Sequence, residues 1–234
     1  MRFIPLILRN QTRSIGIDKI ARTDNAMQKG PTAGIILAAG ESRRLGKPKQ
    51  LIDLGGRPIV EWVVDTALAS NLDRVVLVLG RDHRTILDLL ADKAGHPRLE
   101  AVFNPRFEEG QSSSLRAGLL NVCDQFSAAM FLLGDQPLVD AALINLLLER
   151  FGTSDKTICV PSYAGRRGNP TLFGSPLYPL LLEITGDKGA RQVIAAHPRE
   201  VLEVNIEDPT PFLDIDTRED FERIDALVAS RGGG

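Results

Sequence analysis

A largely parallel sheet with helices on both faces is the α/β fold class this chain predicts, and three observations carry it. Short apolar runs alternate with amphipathic stretches in a βα rhythm between Ala33 and Val160. The runs are apolar almost throughout, as in strands buried on both faces. The 234 residues suffice for one large α/β domain, and 43% hydrophobic with 25% charged residues is an ordinary globular balance.

Taken in order, Ala33–Ala39 reads as the first buried strand. Pro58–Ser70 reads as a helix, because Ile59, Val63, Ala67 and Leu68 share one face and proline suits a helix start. Arg74–Leu79 is a Val-rich strand, Arg84–Ala91 a helix, and Leu99–Phe103 a short strand ending at Asn104-Pro105. Ser112–Cys123 opens on serines that suit a helix cap and continues as a helix. Ala128–Leu133 is a strand that ends at Gly134-Asp135-Gln136-Pro137; Ala141–Phe151 is a helix and Thr157–Val160 a strand. In such a sheet, ligands sit beyond the carboxyl ends of the strands.

The rhythm changes after Val160. Arg166–Phe173, with Gly168-Asn169-Pro170 inside it, reads as a hairpin arm or return strand. Gly186–Arg191 is polar and leads into a short helix, and Glu200–Val204 and Pro211–Ile215 read as strands. Thr217 caps a last helix, with Glu219 and Asp220 in the first turn, where acids suit the helix dipole. Gly232–Gly234 reads as a frayed end. No repeat, low-complexity tract or linker interrupts residues 33–231, so one domain is expected there.

Residues 1–32 form a separate basic extension, with Arg2, Arg9, Arg13, Lys19, Arg22 and Lys29 against Asp18 and Asp24. The apolar piece Phe3–Leu8 is short for a signal-peptide core and no small-residue cleavage site follows. The extension is expected to be loosely ordered, or to reflect a start assigned too early with Met27 the true one; an organelle-targeting segment is the third reading.

A formal net charge of −2 argues against a general nucleic-acid binder, and no apolar run approaches the roughly 18 residues that span a bilayer. Cys123 and Cys159 form no CxxC or Cys/His cluster; as core fillers they fit a reducing compartment, and a cytoplasmic location is expected. His83, His96 and His197 make no metal-spaced pair.

Chemistry concentrates where the first strand ends. Gly40, Ser42, Arg43, Arg44, Gly46, Lys47 and Lys49 form an electropositive loop, and backbone N–H groups freed by glycine beside fixed positive charge suit a polyphosphate. The loop is not a Walker A loop: five residues separate its glycines and Pro48 follows Lys47. It lacks Gly-x-Gly-x-x-Gly, so it is not the dinucleotide fingerprint. A solvated basic loop is the bland alternative. A triphosphate also needs a divalent cation, and Mg2+ takes one or two carboxylates plus phosphate oxygens. Asp135 and Asp216 each follow an expected strand, so both can open on the edge that carries Gly40. A turn aspartate at Asp135 and a helix-capping one at Asp216 are the alternatives, and Asp214 competes, since in a strand it shares a side with Asp216.

An ordered set of motifs now accumulates: Leu37-Ala38-Ala39-Gly40-Glu41-Ser42-Arg43-Arg44-Leu45-Gly46 with Pro48-Lys49-Gln50; Asn104-Pro105, Gly110, Ser114-Leu115 and Gly118; Gly134-Asp135-Gln136-Pro137; Arg167-Gly168-Asn169-Pro170; Gly186-Asp187-Lys188-Gly189-Ala190-Arg191; and Asp214-Ile215-Asp216-Thr217 before Glu219-Asp220. Together they resemble the MobA/MocA-like nucleotidyltransferases, most nearly the molybdenum cofactor cytidylyltransferase type, over about residues 33–228. The resemblance implies a Rossmann-like nucleotide-diphospho-sugar transferase fold, with Mg2+-dependent transfer of a nucleoside monophosphate from an NTP and release of pyrophosphate. It implies Leu37, Ala38, Ala39, Gly40, Ser42, Gly46 and Gly134 around the nucleotide, with Arg43 a weaker candidate. Arg44 and Lys49 match the catalytic cations, Asp135 and Asp216 the Mg2+ ligands, and Ser114 a base-recognising position that can equally be a helix-start serine. Guanylyl-transferring relatives usually read Leu-Ala-Gly-Gly, whereas Ala39 stands here, so the partner nucleotide is expected to be CTP. Lys49-Gln50 also resembles methylerythritol phosphate cytidylyltransferases, but Gly134–Pro137 and Arg167–Pro170 speak against that branch.

The expected acceptor is molybdopterin or molybdenum cofactor, met by Arg167, Asn169, Asp187, Lys188 and Arg191, with Lys188 and Arg191 on its phosphate. A solvated surface loop is the alternative for those two. Three other functions stay open: the same fold with another NTP or acceptor, an NAD(P)H-dependent oxidoreductase, and a chaperone that hands cofactor to a client molybdoenzyme.

Overall fold

Residues 6–7, 30–40, 48–187 and 189–231 are described by the computed structural model. In chain order the strands are β1 (Leu6–Ile7), β2 (Thr32–Ala38), β3 (Asp53–Leu54), β4 (Arg57–Pro58), β5 (Arg74–Leu79), β6 (Leu99–Phe103), β7 (Ala128–Leu133), β8 (Ile158–Tyr163), β9 (Arg166–Arg167), β10 (Thr171–Gly174) and β11 (Val201–Asn205). The helices are α1 (Ile59–Ala69), α2 (His83–Leu89), α3 (Gln111–Val122), α4 (Ala141–Gly152), α5 (Tyr178–Glu183), α6 (Arg191–Ala196) and α7 (Arg218–Arg231).

The main sheet runs β1-β6-β5-β2-β7-β10-β8-β11, with β9 paired to β8. Its pairings are parallel except where β10 lies antiparallel between β7 and β8, and in the β8–β9 hairpin. The expected mostly parallel sheet is therefore present, and Arg166–Phe173 supplies both a hairpin arm and a return strand. Successive crossovers run outward from β2 to β5 and β6, and the chain then returns to place β7 on the other side of β2. That reversal opens a crevice beyond the carboxyl ends of β2 and β7.

Side-chain alternation explains the burial on both faces. Ile36, Ala38, Val75, Leu77, Met130 and Leu132 enter one core, covered by α1 and α4 through Val60, Val64, Ile144 and Leu147. Ala33, Ile35, Val76, Val78, Ala129 and Phe131 enter the other, covered by α3, α5 and α6 through Leu119, Leu181 and Val193. Gly118 lets α3 lie close to the sheet: a Cβ there would stand 2.4 Å from Ile35 Cγ2. Cys159 is buried in the first core, and Cys123 is half-buried beside the second.

Several expectations need correction. Pro211–Ile215 is not a strand: Thr210–Phe212 makes a 3-10 turn and the chain continues irregularly. Pro209 and Pro211 withhold ladder donors, and the Asp208 carboxylate accepts from Thr210 N, which favours the turn. The serines at 112–114 do not cap α3. Gly110, at φ +97°, is its cap residue, and all three serines lie buried inside the helix. The hairpin β3–β4 went unread, although Gly55-Gly56 supplies the two positive-φ turn residues it needs. The second helix runs His83–Leu89 and hands over to a 3-10 turn at Ala91–Lys93. Thr217 does cap α7: its Oγ1 accepts from Asp220 N, and Asp220 Oδ2 accepts from Thr217 N. Within the basic extension, Leu6–Ile7 pair in parallel with β6; the rest of residues 1–29, and Gly232–Gly234, lie outside the described residues.

Candidate active site

The crevice at the β2–β7 reversal is an open cleft of about 500 Å³, a volume typical of small-molecule sites. Leu37, Ala39 and Gly40 line it from the end of β2, with Leu133 and Asp135 from the end of β7. Lys49, Gln50, Phe107, Glu108, Gly110, Gln111, Ser114 and Asp187 complete the described lining. Ala38 and Gly134 lie beneath it. Gly134 N donates to Leu37 O at 3.0 Å, and a Cβ on Gly134 would stand 3.0 Å from both Ala38 Cβ and Leu37 O. A side chain at 134 would push on both, so glycine suits the close approach of the two strand ends. At Gly40 a Cβ would meet none of the described residues within 4 Å.

Lys49 is presented by a one-turn helix, Lys49–Leu51, that starts after Pro48. Its Nζ donates to Asp135 Oδ2 at 3.3 Å and to Asp216 Oδ1. The two aspartates arrive by different routes. Asp135 extends from β7, whereas Asp216 comes on the irregular loop before α7. Ile215 N, donating to Asp135 O at 3.2 Å, ties the two segments together. Ile215 itself is fully buried with Leu54, Ile59, Leu138 and Ile224. Asp214 is exposed, and Lys49 bonds Asp216 instead.

Burial opposes the charge on Lys49, but the hydrogen bond to Asp216 and the charges of both carboxylates outweigh it and raise its pKa. Burial also raises the Asp135 carboxyl. Lys49 pulls it down, and Asp214 and Asp216 push it up again. Burial is the largest of these influences, so the Asp135 carboxyl stays raised even with Lys49 beside it. Glu108 and Asp187 add two more acids to the described lining. Asp135 and Asp216 meet at one Nζ, so both can reach one cation, and two hard oxygen donors with places left for phosphate oxygens suit Mg2+. Among the described residues no group of three or more His, Cys, Asp and Glu side chains could hold a metal unaided.

Across the cleft, Ser114 is held from behind. Asn104 Nδ2 donates to Ser113 Oγ at 2.9 Å and to Ser114 Oγ at 3.1 Å, while Ser113 Oγ donates to Gly110 O. Ser114 therefore keeps its own O–H to donate. Asn104, Gln50, Phe107 and Gln111 are site residues that sequence reasoning missed, although Asn104-Pro105 and Lys49-Gln50 had drawn notice as motifs. Asp187 reaches the cleft because its loop docks on the start of α3, where Ser112 N donates to Gly186 O at 3.2 Å. A Cβ on Gly110 would stand 2.2 Å from Asp187 Oδ1. Arg167 donates to Glu203 through Nε and Nη2. Arg167, Asn169 and Arg191 do not line the cleft. Ser42, Arg43, Arg44, Gly46 and Lys188 lie outside the described residues.

Residues 34–201 match the model of the MobA-like NTP transferase domain. The chain belongs to that family. Among its relatives, the purine catabolism protein PucB of Bacillus subtilis (strain 168) is 29% identical over 203 residues, 82% of this chain and 94% of the relative. Nicotine blue oxidoreductase of Paenarthrobacter nicotinovorans is 28% identical, covering 82% of this chain and 95% of its own. A probable molybdenum cofactor guanylyltransferase of Thermococcus sibiricus is 24% identical over 131 residues, 56% of this chain and 61% of the relative. The crystal structure of Rv0371C from Mycobacterium tuberculosis H37Rv in complex with manganese superposes with a TM-score of 0.70 at 25% identity, over 83% of this chain and 98% of that one. For a MobA-like domain, nucleotidyl transfer is the supported chemistry. Among the described residues no helix is long and apolar enough to cross a membrane.

Proposed function

We propose that this protein transfers CMP from CTP to molybdopterin, with Mg2+ and release of pyrophosphate. One observation carries the reading: Lys49 draws Asp135 and Asp216 together at the strand-end cleft, the arrangement a metal-bound triphosphate needs. Asp135 and Asp216 would hold Mg2+, which when bound offsets phosphate charge and orients the leaving pyrophosphate.

The terminal phosphate of the acceptor attacks the α-phosphorus of CTP in line. A new P–O bond forms as the α–β phosphoanhydride breaks, and pyrophosphate takes the electron pair. The attacking phosphate is anionic at neutral pH, its second pKa being about 6, so no strong general base is required. Arg44 and Lys49 stabilise the charge that builds on the α-phosphate and the leaving group. Lys49 is held beside both carboxylates, which sets its charge next to the metal they would bind. The main chain of Leu37–Gly40, with Ser42, Arg43 and Gly46, cradles the phosphates over Ala38 and Gly134. Ser114 donates to a base carbonyl, which suits cytosine. Arg167, Asn169, Asp187, Lys188 and Arg191 form the acceptor side; Asp187 already reaches the cleft. A cytoplasmic setting and hand-over to a client molybdoenzyme accompany this reading.

The relative named as an oxidoreductase favours a second reading, NAD(P)H-dependent reduction. Calorimetric titration with CTP, GTP, ATP, NADH and NADPH, with and without Mg2+, separates the two. The expected result is Mg2+-dependent CTP binding that disappears in Asp135→Ala. GTP in its place moves the reading to guanylyl transfer, and NAD(P)H binding without CTP binding overturns nucleotidyl transfer.

A further inference from the structure

The loop that delivers Asp216 rests on the Arg167–Pro170 segment through one ring. Gly168 lies against Phe212: a Cβ on Gly168 would stand 2.3 to 2.6 Å from three of its ring carbons. Gly168 N donates to Pro161 O at 2.9 Å, which fixes the glycine to β8. Phe212 closes the 3-10 turn Thr210–Phe212, with its N–H on Pro209 O at 3.0 Å. Four residues on, Asp216 meets Lys49. Between them Ile215 is buried and bonded to Asp135 O. Downstream, the Asp220 carboxylate accepts from Asp216 N at 3.3 Å. The backbone that carries Asp216 is thus held on both sides, and the upstream anchor belongs to the segment expected to meet the acceptor.

We propose that Phe212, seated on the bare backbone of Gly168, is a positioning residue that sets Asp216 against Asp135 for a divalent cation. The proposal rests on the cation reading of those two aspartates. Phe212 touches neither carboxylate; it fixes the path of the chain that carries one of them. Gly168 is required because any side chain there would lift the ring. Supporting residues around a metal site typically change its affinity about 10- to 100-fold when removed.

The test is Mn2+ binding to the full chain with and without CTP, corrected for the Mn2+ that CTP alone takes up and read from the electron paramagnetic resonance of free Mn2+, with a thermal melt of each variant. Phe212→Ala and Gly168→Ala should weaken Mn2+ binding about tenfold, and Phe212→Tyr, which keeps the ring, should restore it. Val122→Ala, in the opposite core, should lower the melting temperature without changing Mn2+ affinity, which separates positioning from general loosening. If Asp216→Asn weakens Mn2+ binding while Phe212→Ala and Gly168→Ala do not, the positioning role is wrong. If Asp216→Asn leaves Mn2+ binding unchanged, or the unmodified protein binds none with or without CTP, the cation reading is wrong and the positioning role goes with it.

Discussion

The half of the sheet that carries the cleft and the half beyond β10 are built by different rules. In the first, β2, β5, β6 and β7 run parallel, each strand is buried on both faces, and the functional groups hang from strand ends. In the second, β10 reverses direction, α5 and α6 have six residues each, and the functional candidates are divided among the two-residue strand β9, the first position of α6 and the loops between. Strand ends are placed by the ladder itself, so Leu37, Ala39, Gly40 and Asp135 converge as the hydrophobic pattern implies. Residues on loops and on the short β9 go where side-chain contacts send them. Asp187 lands on α3 beside Gly110, whereas Arg167 turns to Glu203.

The largest expected effect breaks the comparison at its centre. Lys49→Ala should leave the fold intact and lower turnover by about a hundredfold, on the order of 3 kcal/mol, measured by pyrophosphate release. Near-normal turnover would part the strand-end cleft from the chemistry. Gly118→Val comes next. It forces α3 away from Ile35 and Val78 and should cost about 1–3 kcal/mol of stability in urea titration. Because α3 carries Ser114, CTP affinity should fall in the same variant; a stability loss without that fall would detach Ser114 from the nucleotide. Ser114→Ala removes one donor and should weaken CTP binding by about 1 kcal/mol, or roughly fivefold, without lowering turnover at saturating CTP. The smallest effect sharpens the contrast. Arg167 and Glu203 are an exposed pair with side chains 38% and 39% accessible, so Arg167→Ala should shift stability by less than about 1 kcal/mol. CTP affinity should not change, and KM for the acceptor should rise; a rise in the CTP dissociation constant instead would place Arg167 in the wrong half.

The sequence read best where periodicity controls structure. Arg74–Leu79, Leu99–Phe103 and Ala128–Leu133 begin and end where the apolar runs do. It read poorly at Pro211–Ile215, which reads as a strand, whereas two prolines and an Asp208 turn prevail. At Ser112–Ser114 it recognised polar residues at a helix start, yet the Ser113 and Ser114 hydroxyls accept from Asn104 and Ser113 also donates to Gly110 O. Capping preference is a local statistic, and a buried asparagine ten residues upstream overrode it.

By itself, then, the sequence determined the βα rhythm, the glycine-rich turn after the first strand, and the identity of Lys49, Asp135 and Asp216 as candidates for one site. These follow from side-chain period and from residue chemistry, which act within a few positions of the chain. Tertiary structure decided that Lys49 and Asp216, 167 residues apart, share a hydrogen bond. It also decided that Asn104 aims Ser114, and that Phe212 settles on Gly168. Such contacts depend on which surfaces meet once both cores close, and no local pattern records that.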